Sequence, residues 1–229
     1  ERAIFKIDLD GKNLKKVVNG AYPRVSPNGS TLAYIAGGQI WILNLDSANI
    51  SPKKLFHSRG SQGSIRWSPD GSKIAFTSRV FATAFTDSLS KKLAEEKKKI
   101  KTKARVYTSF PIRYWDSWLD DKQSHVYVMD LTASKPAPKN IFSQVRLVES
   151  KGFQLGSFSF SPDNAQIVFT ATTEYNTGAY QSATSHLYSV SIAGGAEKLL
   201  STDATTYSQV QFSEDGKYLI ATGHLNGTK

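Results

Sequence analysis

Arg113, Tyr114, Trp115, Asp116 and Trp118 fall within six consecutive positions and hold half of the four tryptophans in a 229-residue chain. Arginine beside aromatic rings is the usual composition of a recognition surface. The same residues would also serve as the private core of a local insertion, with Arg113 paired to Asp116. The residue types leave both readings open. Elsewhere the chemistry is sparse. Four histidines occur, at 57, 125, 186 and 224. His125 and His186 each stand in a Ser-His-apolar-Tyr phrase, and this equivalence favours a structural role for them; His57 and His224 are isolated. There is no G-x-S-x-G elbow, no H-E-x-x-H, no phosphate-binding glycine loop and no cysteine at all. Thiol catalysis, disulfides and cysteine-ligated zinc are thereby excluded. With no convergent nucleophile, base and acid, the chain is not expected to be catalytic alone. No catalytic residue, metal ligand or cofactor is assigned to it.

The elements around the aromatic cluster are organised by a repeat. "IRWSPDGSKIAFTS", residues 65–78, has relatives at Val25-Ser26-Pro27-Asn28-Gly29, Phe160-Ser161-Pro162-Asp163-Asn164 and Phe212-Ser213-Glu214-Asp215-Gly216. Proline presets φ for a turn, Asp or Asn bonds the local backbone, and Gly or Asn accepts the left-handed conformation. Each turn is followed by an apolar run with period two. A second phrase then appears as "AIFKIDLD", "QIWILNLD", "HVYVMDL" or "HLYSVSI", followed by a fourth short apolar element. Four short antiparallel strands in about 40 to 50 residues are the content of a β-propeller blade. The fold expected is all-β: a section of a β-propeller with WD40-like or TolB-like four-stranded blades and one charged helical insertion. The expected units are a half blade at 1–20, blades at 21–58, 59–143 and 153–201, and a half blade at 204–229. Half blades leave open strand edges, where pairing with other chains is expected.

The insertion spans 81–120. "TDSLSKKLAEEKKKIKTKARVY" predicts one helix within 87–104, with Thr86, Asp87 or Ser88 as its cap. Residues 91–103 hold seven lysines against Glu95 and Glu96, so half of the net charge of +10 sits in thirteen positions. The charge therefore describes a solvated helix better than a nucleic-acid surface, because base-reading aromatics are not interleaved with the lysines. No nucleic-acid partner is expected. No stretch approaches the roughly 20 apolar residues of a membrane span. The first residues show no signal-peptide pattern, so any targeting sequence has been removed or lies upstream. A periplasmic or secreted location is favoured over a cytoplasmic one.

"WSPDGSKIAFTSRV", the charged insert ending "KARVY", "RYWDSWLDDKQSHVYVMD" and "FSFSPDNAQIVFTA" occur in that order. Together they resemble the propeller of S9 (prolyl oligopeptidase) serine peptidases, most closely the acylaminoacyl peptidase and dipeptidyl peptidase 5 branch. The resemblance implies a propeller that sits over an α/β-hydrolase domain and limits substrates to short peptides. That domain and the remaining blades would be this chain's partners, and the parent protein would be a serine peptidase. It further implies that the insertion faces the hydrolase. There Arg113 would hold a peptide carbonyl or carboxylate, Tyr114, Trp115 and Trp118 would line apolar walls, and Asp116 would attract a free amine. The turn phrases alone also suit a TolB-like propeller, whose role would be a protein-binding scaffold.

Overall fold

The computed structural model describes residues 2–47, 51–56, 62–81, 84, 86–102, 104, 107, 112–114, 117–118, 121–177 and 181–225. Strand β1 (Ala3–Lys6) pairs with β2 (Lys15–Asn19). Strands β3 (Ala21–Val25), β4 (Thr31–Ala36), β5 (Gln39–Asn44) and β6 (Lys53–Lys54) form a second sheet in that order. A third begins with β7 (Gln62–Trp67) and β8 (Lys73–Phe81). Helix α1 (Asp87–Lys99) and a small hairpin, β9 (Arg113–Tyr114) with β10 (Ser117–Trp118), intervene before β11 (Lys122–Asp130) and β12 (Lys139–Asn140) complete it. Strands β13 (Gln154–Phe160), β14 (Gln166–Thr172), β15 (His186–Ser191) and β16 (Lys198–Leu199) make the fourth sheet, and β17 (Thr205–Phe212) pairs with β18 (Leu219–Leu225). All these pairings are antiparallel. This is the expected section of a β-propeller, with successive meandering sheets and a helical insertion in one of them.

The recurring turn explains why serine precedes it. Ser68 Oγ donates to Asp70 Oδ1 at 2.6 Å and accepts from the Lys73 N–H at 2.8 Å. The same pair of bonds recurs at Ser161 with Asp163 and Gln166, and at Ser213 with Asp215 and Tyr218. At Ser26, Asn28 replaces the carboxylate as acceptor at 2.7 Å. Gly71 at φ 72° and Asn164 at φ 58° occupy the left-handed position the sequence pattern demands.

Opposite aromatics then lock each second strand to its third. Tyr34 faces Trp41, Phe76 faces Tyr127 and Phe169 faces Tyr188. The last two pairs stack with centroids 5.7 and 5.5 Å apart. The core lies between neighbouring sheets rather than within one. Phe142, fully buried at the end of the third sheet, packs against Phe169 of the fourth. Ile65 and Phe76 meet Ala33 and Ile40 of the second. The fourth strands β6, β12 and β16 have two residues each, whereas β2 has five. The apolar residues that follow β12, Ile141 and Phe142, turn into this inter-sheet core, while the Ile141 N–H still donates to the Val126 carbonyl at 3.1 Å.

The first strands β3, β7, β13 and β17 pack beside one another in sequence, which sets them along the propeller axis. Each carries one extra residue relative to its partner, a β-bulge. In three of the four the bulge holds a non-glycine residue in the left-handed region: Tyr22 at φ 55°, Ser64 at 47° and Gln209 at 53°.

The helix is shorter than the expected span. Thr86 caps it, its Oγ1 accepting from Leu89 N–H at 3.2 Å, and Ile100 ends it with an extended ψ of 114°. Ile100 and Thr102 are β-branched and poor helix continuers, and the helix ends at Lys99. Helix α1 is the single α-helix among the described residues, as expected; two short 3-10 segments, Arg146–Glu149 and Tyr175–Thr177, lie in connections.

Candidate functional site

The insertion is built on an extended blade. Strands β8 and β11 pair over nine residues each, from Lys73 opposite Asp130 to Phe81 opposite Lys122. Their far end, away from the Ser68–Gly71 turn, carries helix α1 and the hairpin. The helix is fastened there. Lys97 pairs with Asp121 and lies over the Phe81 ring at 4.9 Å, which Lys122 also approaches at 5.4 Å. The three lysines of its last turn, 97 to 99, complement the negative end of the helix dipole. Leu89 and Ile100 remain exposed, so the helix is a solvated element.

The hairpin brings part of the aromatic cluster together. Ser117 stands opposite Tyr114, and Trp118 opposite Arg113. Arg113 is exposed. Trp115 and Asp116 lie outside the described residues. The backbone thus aligns a guanidinium position and an indole position across two short strands, four residues before β11. Directly opposite residues are the closest neighbours across a sheet.

Among the described residues the histidines do not assemble a site. His125 is fully buried, and its Nδ1 lies 3.1 Å from Asn140 Nδ2. Because an amide N–H only donates, Nδ1 accepts and the proton sits on Nε2. Asn140 Oδ1 accepts from the Phe142 N–H at 3.0 Å, which fixes the amide orientation. Burial pushes the His125 pKa down to about 4. His186 packs edge-on to Tyr188, His224 is exposed on β18, and His57 lies outside the described residues. Among the described residues no group of three His, Asp or Glu side chains could hold a metal ion. The close Ser–Asp pairs are turn chemistry. Each of these hydroxyls donates to the carboxylate and accepts from a backbone N–H, so it is committed to the turn.

Two residues that reasoning from the sequence passed over stand on the axis strands. Arg24 and Arg66 each lie two positions before the serine of their turn, on neighbouring strands β3 and β7. Aligning the turn phrases on that serine would have shown the equivalence. The lysines of the insertion dominate the net charge and mask this pair.

Residues 87–227 match the profile of the dipeptidyl peptidase IV (DPP IV) N-terminal region. The chain belongs to this family. The match takes in α1, the hairpin, both later sheets and the turns that join them, so the DPP IV N-terminal region identification covers the insertion as well as the propeller. No curated protein matches the sequence. Among solved structures, acylaminoacyl peptidase of Pyrococcus horikoshii superposes with a TM-score of 0.62 at 16% identity, over 98% of this chain and 31% of that one. A putative TolB of Agrobacterium tumefaciens gives 0.53 at 16%, over 96% and 61%. TolB of Acinetobacter baumannii gives 0.52 at 15%, over 99% and 44%. At these identities the likeness establishes the propeller fold alone. The chain spans less than two thirds of each of these structures. Among the described residues no helix is long and apolar enough to cross a membrane.

Proposed function

We propose that this chain is the substrate-gating propeller portion of an S9-type serine peptidase that acts on short peptides as a dipeptidyl or acylaminoacyl peptidase. The chemistry belongs to an α/β-hydrolase domain outside this chain. One observation carries the reading. A chain of the DPP IV N-terminal region family has a helix and an Arg-Trp hairpin inserted at one end of its longest ladder. That end is where a second domain would meet the propeller. Arg113 holds a peptide carbonyl or carboxylate, Tyr114, Trp115 and Trp118 supply apolar walls, and Asp116 attracts a free amine. The apolar residues exposed on the two-stranded sheets, Phe5 on β1 and Leu219 and Ile220 on β18 among them, are covered by the remaining blades.

The test is Arg113→Ala in the full-length protein, assayed on chromogenic dipeptide and acyl-aminoacyl substrates. Loss of a charge-assisted contact lowers kcat/KM by about tenfold or more, with little change in Tm. A large fall in Tm with unchanged kinetics assigns the hairpin to packing instead. Absence of any hydrolysis favours a TolB-like scaffold that binds another protein.

A further inference from the structure

Arg24 and Arg66 occupy one repeat position on adjacent axis strands, and their equivalents on β13 and β17 are the neutral Ser159 and Gln211. A positive charge is therefore concentrated at one sector of the axis. The backbone is shaped for it. In β7 the bulge residue Ser64 sits at φ 47°, after which Ile65 is buried in the core and Arg66 follows on the other side, half-buried. In β3 the bulge at Tyr22 likewise precedes Arg24 by two residues. Bulges re-aim the side chains that follow them.

Each guanidinium has a backbone tether. Arg24 Nη1 donates to the Pro23 carbonyl at 2.8 Å and Arg66 Nη1 to the Ile65 carbonyl at 3.0 Å. Arg66 also lies over the Phe158 ring at 5.8 Å, and Trp67 Nε1 donates to the Arg24 carbonyl at 3.0 Å, tying the two strands together. These contacts use one N–H of the five each guanidinium carries. Among the described residues no carboxylate lies within 4 Å of either arginine. Burial and then the Arg24 charge lower the Arg66 pKa, so the two cations sense each other. Two neighbouring like charges with spare planar donors are stabilised by an oxyanion that both can reach.

We propose that Arg24 and Arg66 form a carboxylate-recognition site at the propeller axis, and that it takes the terminal carboxylate of a short peptide. This rests on the peptidase reading above and assigns the far end of the substrate, leaving Arg113 for a carbonyl. The experiment is calorimetric titration of the full-length protein with a tripeptide made non-hydrolysable by N-methylation, as free acid and as C-terminal amide, with inorganic phosphate as a separate titrant. The acid binds about tenfold tighter than the amide, and Arg24→Gln or Arg66→Gln each removes most of that advantage. Arg146→Gln, an exposed charge on the 3-10 segment between β12 and β13, leaves it intact. Arg24 is exposed, so its variant keeps the fold and carries the test even where Arg66→Gln does not. Equal binding of acid and amide overturns the proposal. So does an equal loss in Arg146→Gln, or phosphate binding that depends on both arginines without acid–amide discrimination. Hydrolysis without that discrimination removes this site and leaves the peptidase reading standing. Arginine-dependent discrimination without hydrolysis does the reverse.

Discussion

His125 provides a stability change that can be worked from its surroundings. It is 0% exposed, and burial holds its pKa at about 4 against 6.5 for a solvated imidazole. Between these values the unfolded chain takes up a proton that the folded chain refuses. Stability is therefore fully present above pH 6.5 and falls as the pH drops toward 4. A displacement of that size corresponds to about 3 kcal/mol lost across the window. His125→Phe removes the titration while keeping an apolar ring beside Phe142, whose centroid lies 6.1 Å from the imidazole. Urea denaturation of both proteins at half-unit steps from pH 4 to 8 isolates the term. The native protein loses about 3 kcal/mol more than the variant between pH 7 and pH 4. The variant starts lower, because Asn140 Nδ2 loses the imidazole acceptor and keeps only Tyr127 Oη at 3.4 Å. Parallel pH profiles for the two proteins would refute the reasoning.

The remaining predictions concern the repeat and its core. Asp70 accepts from Ser68 Oγ, Ser72 Oγ and the Ser72 N–H, bonds that hold its pKa at about 2. Asp70→Ala costs about 1 kcal/mol in denaturant titration, whereas Asp70→Asn costs less, since Asn28 already does this work in the Ser26 turn. The Asp70 contribution is present above its ordinary pKa of 3.8 and fades as the pH falls through about 2, which an Asp70→Asn profile at low pH checks. Phe142→Ala, opening a void between the third and fourth sheets, costs about 3–5 kcal/mol and lowers Tm sharply.

Local chemistry was legible wherever it was short-range. The Ser-Pro-Asp-Gly phrases specify their turns within five residues, and the period-two runs specify strands around them. The bulges were hidden because Tyr22, Ser64 and Gln209, none of them glycine, occupy the left-handed position. Tertiary packing of the axis strands sets that conformation, and no residue type announces it. The Asn140 partner of His125 is fifteen residues away and depends on the register of β11 against β12. At the hairpin, composition marked the cluster, but the pairing of Arg113 with Trp118 comes from backbone register. The axis arginines escaped notice for a different reason. Summed charge weights a lysine-rich helix and a pair of placed guanidiniums alike, although only the second is organised to bind a planar anion.

The central claim is that this propeller serves a peptidase that admits only short peptides. The most direct measurement follows turnover by the full-length protein of a peptide series from two to about thirty residues, with and without a serine-directed inhibitor. Inhibitor-sensitive cleavage is expected, with a kcat/KM that falls steeply with length. Deleting residues 113–118 is expected to relax that limit. No cleavage at any length, or a rate indifferent to length in the intact protein, would contradict the claim.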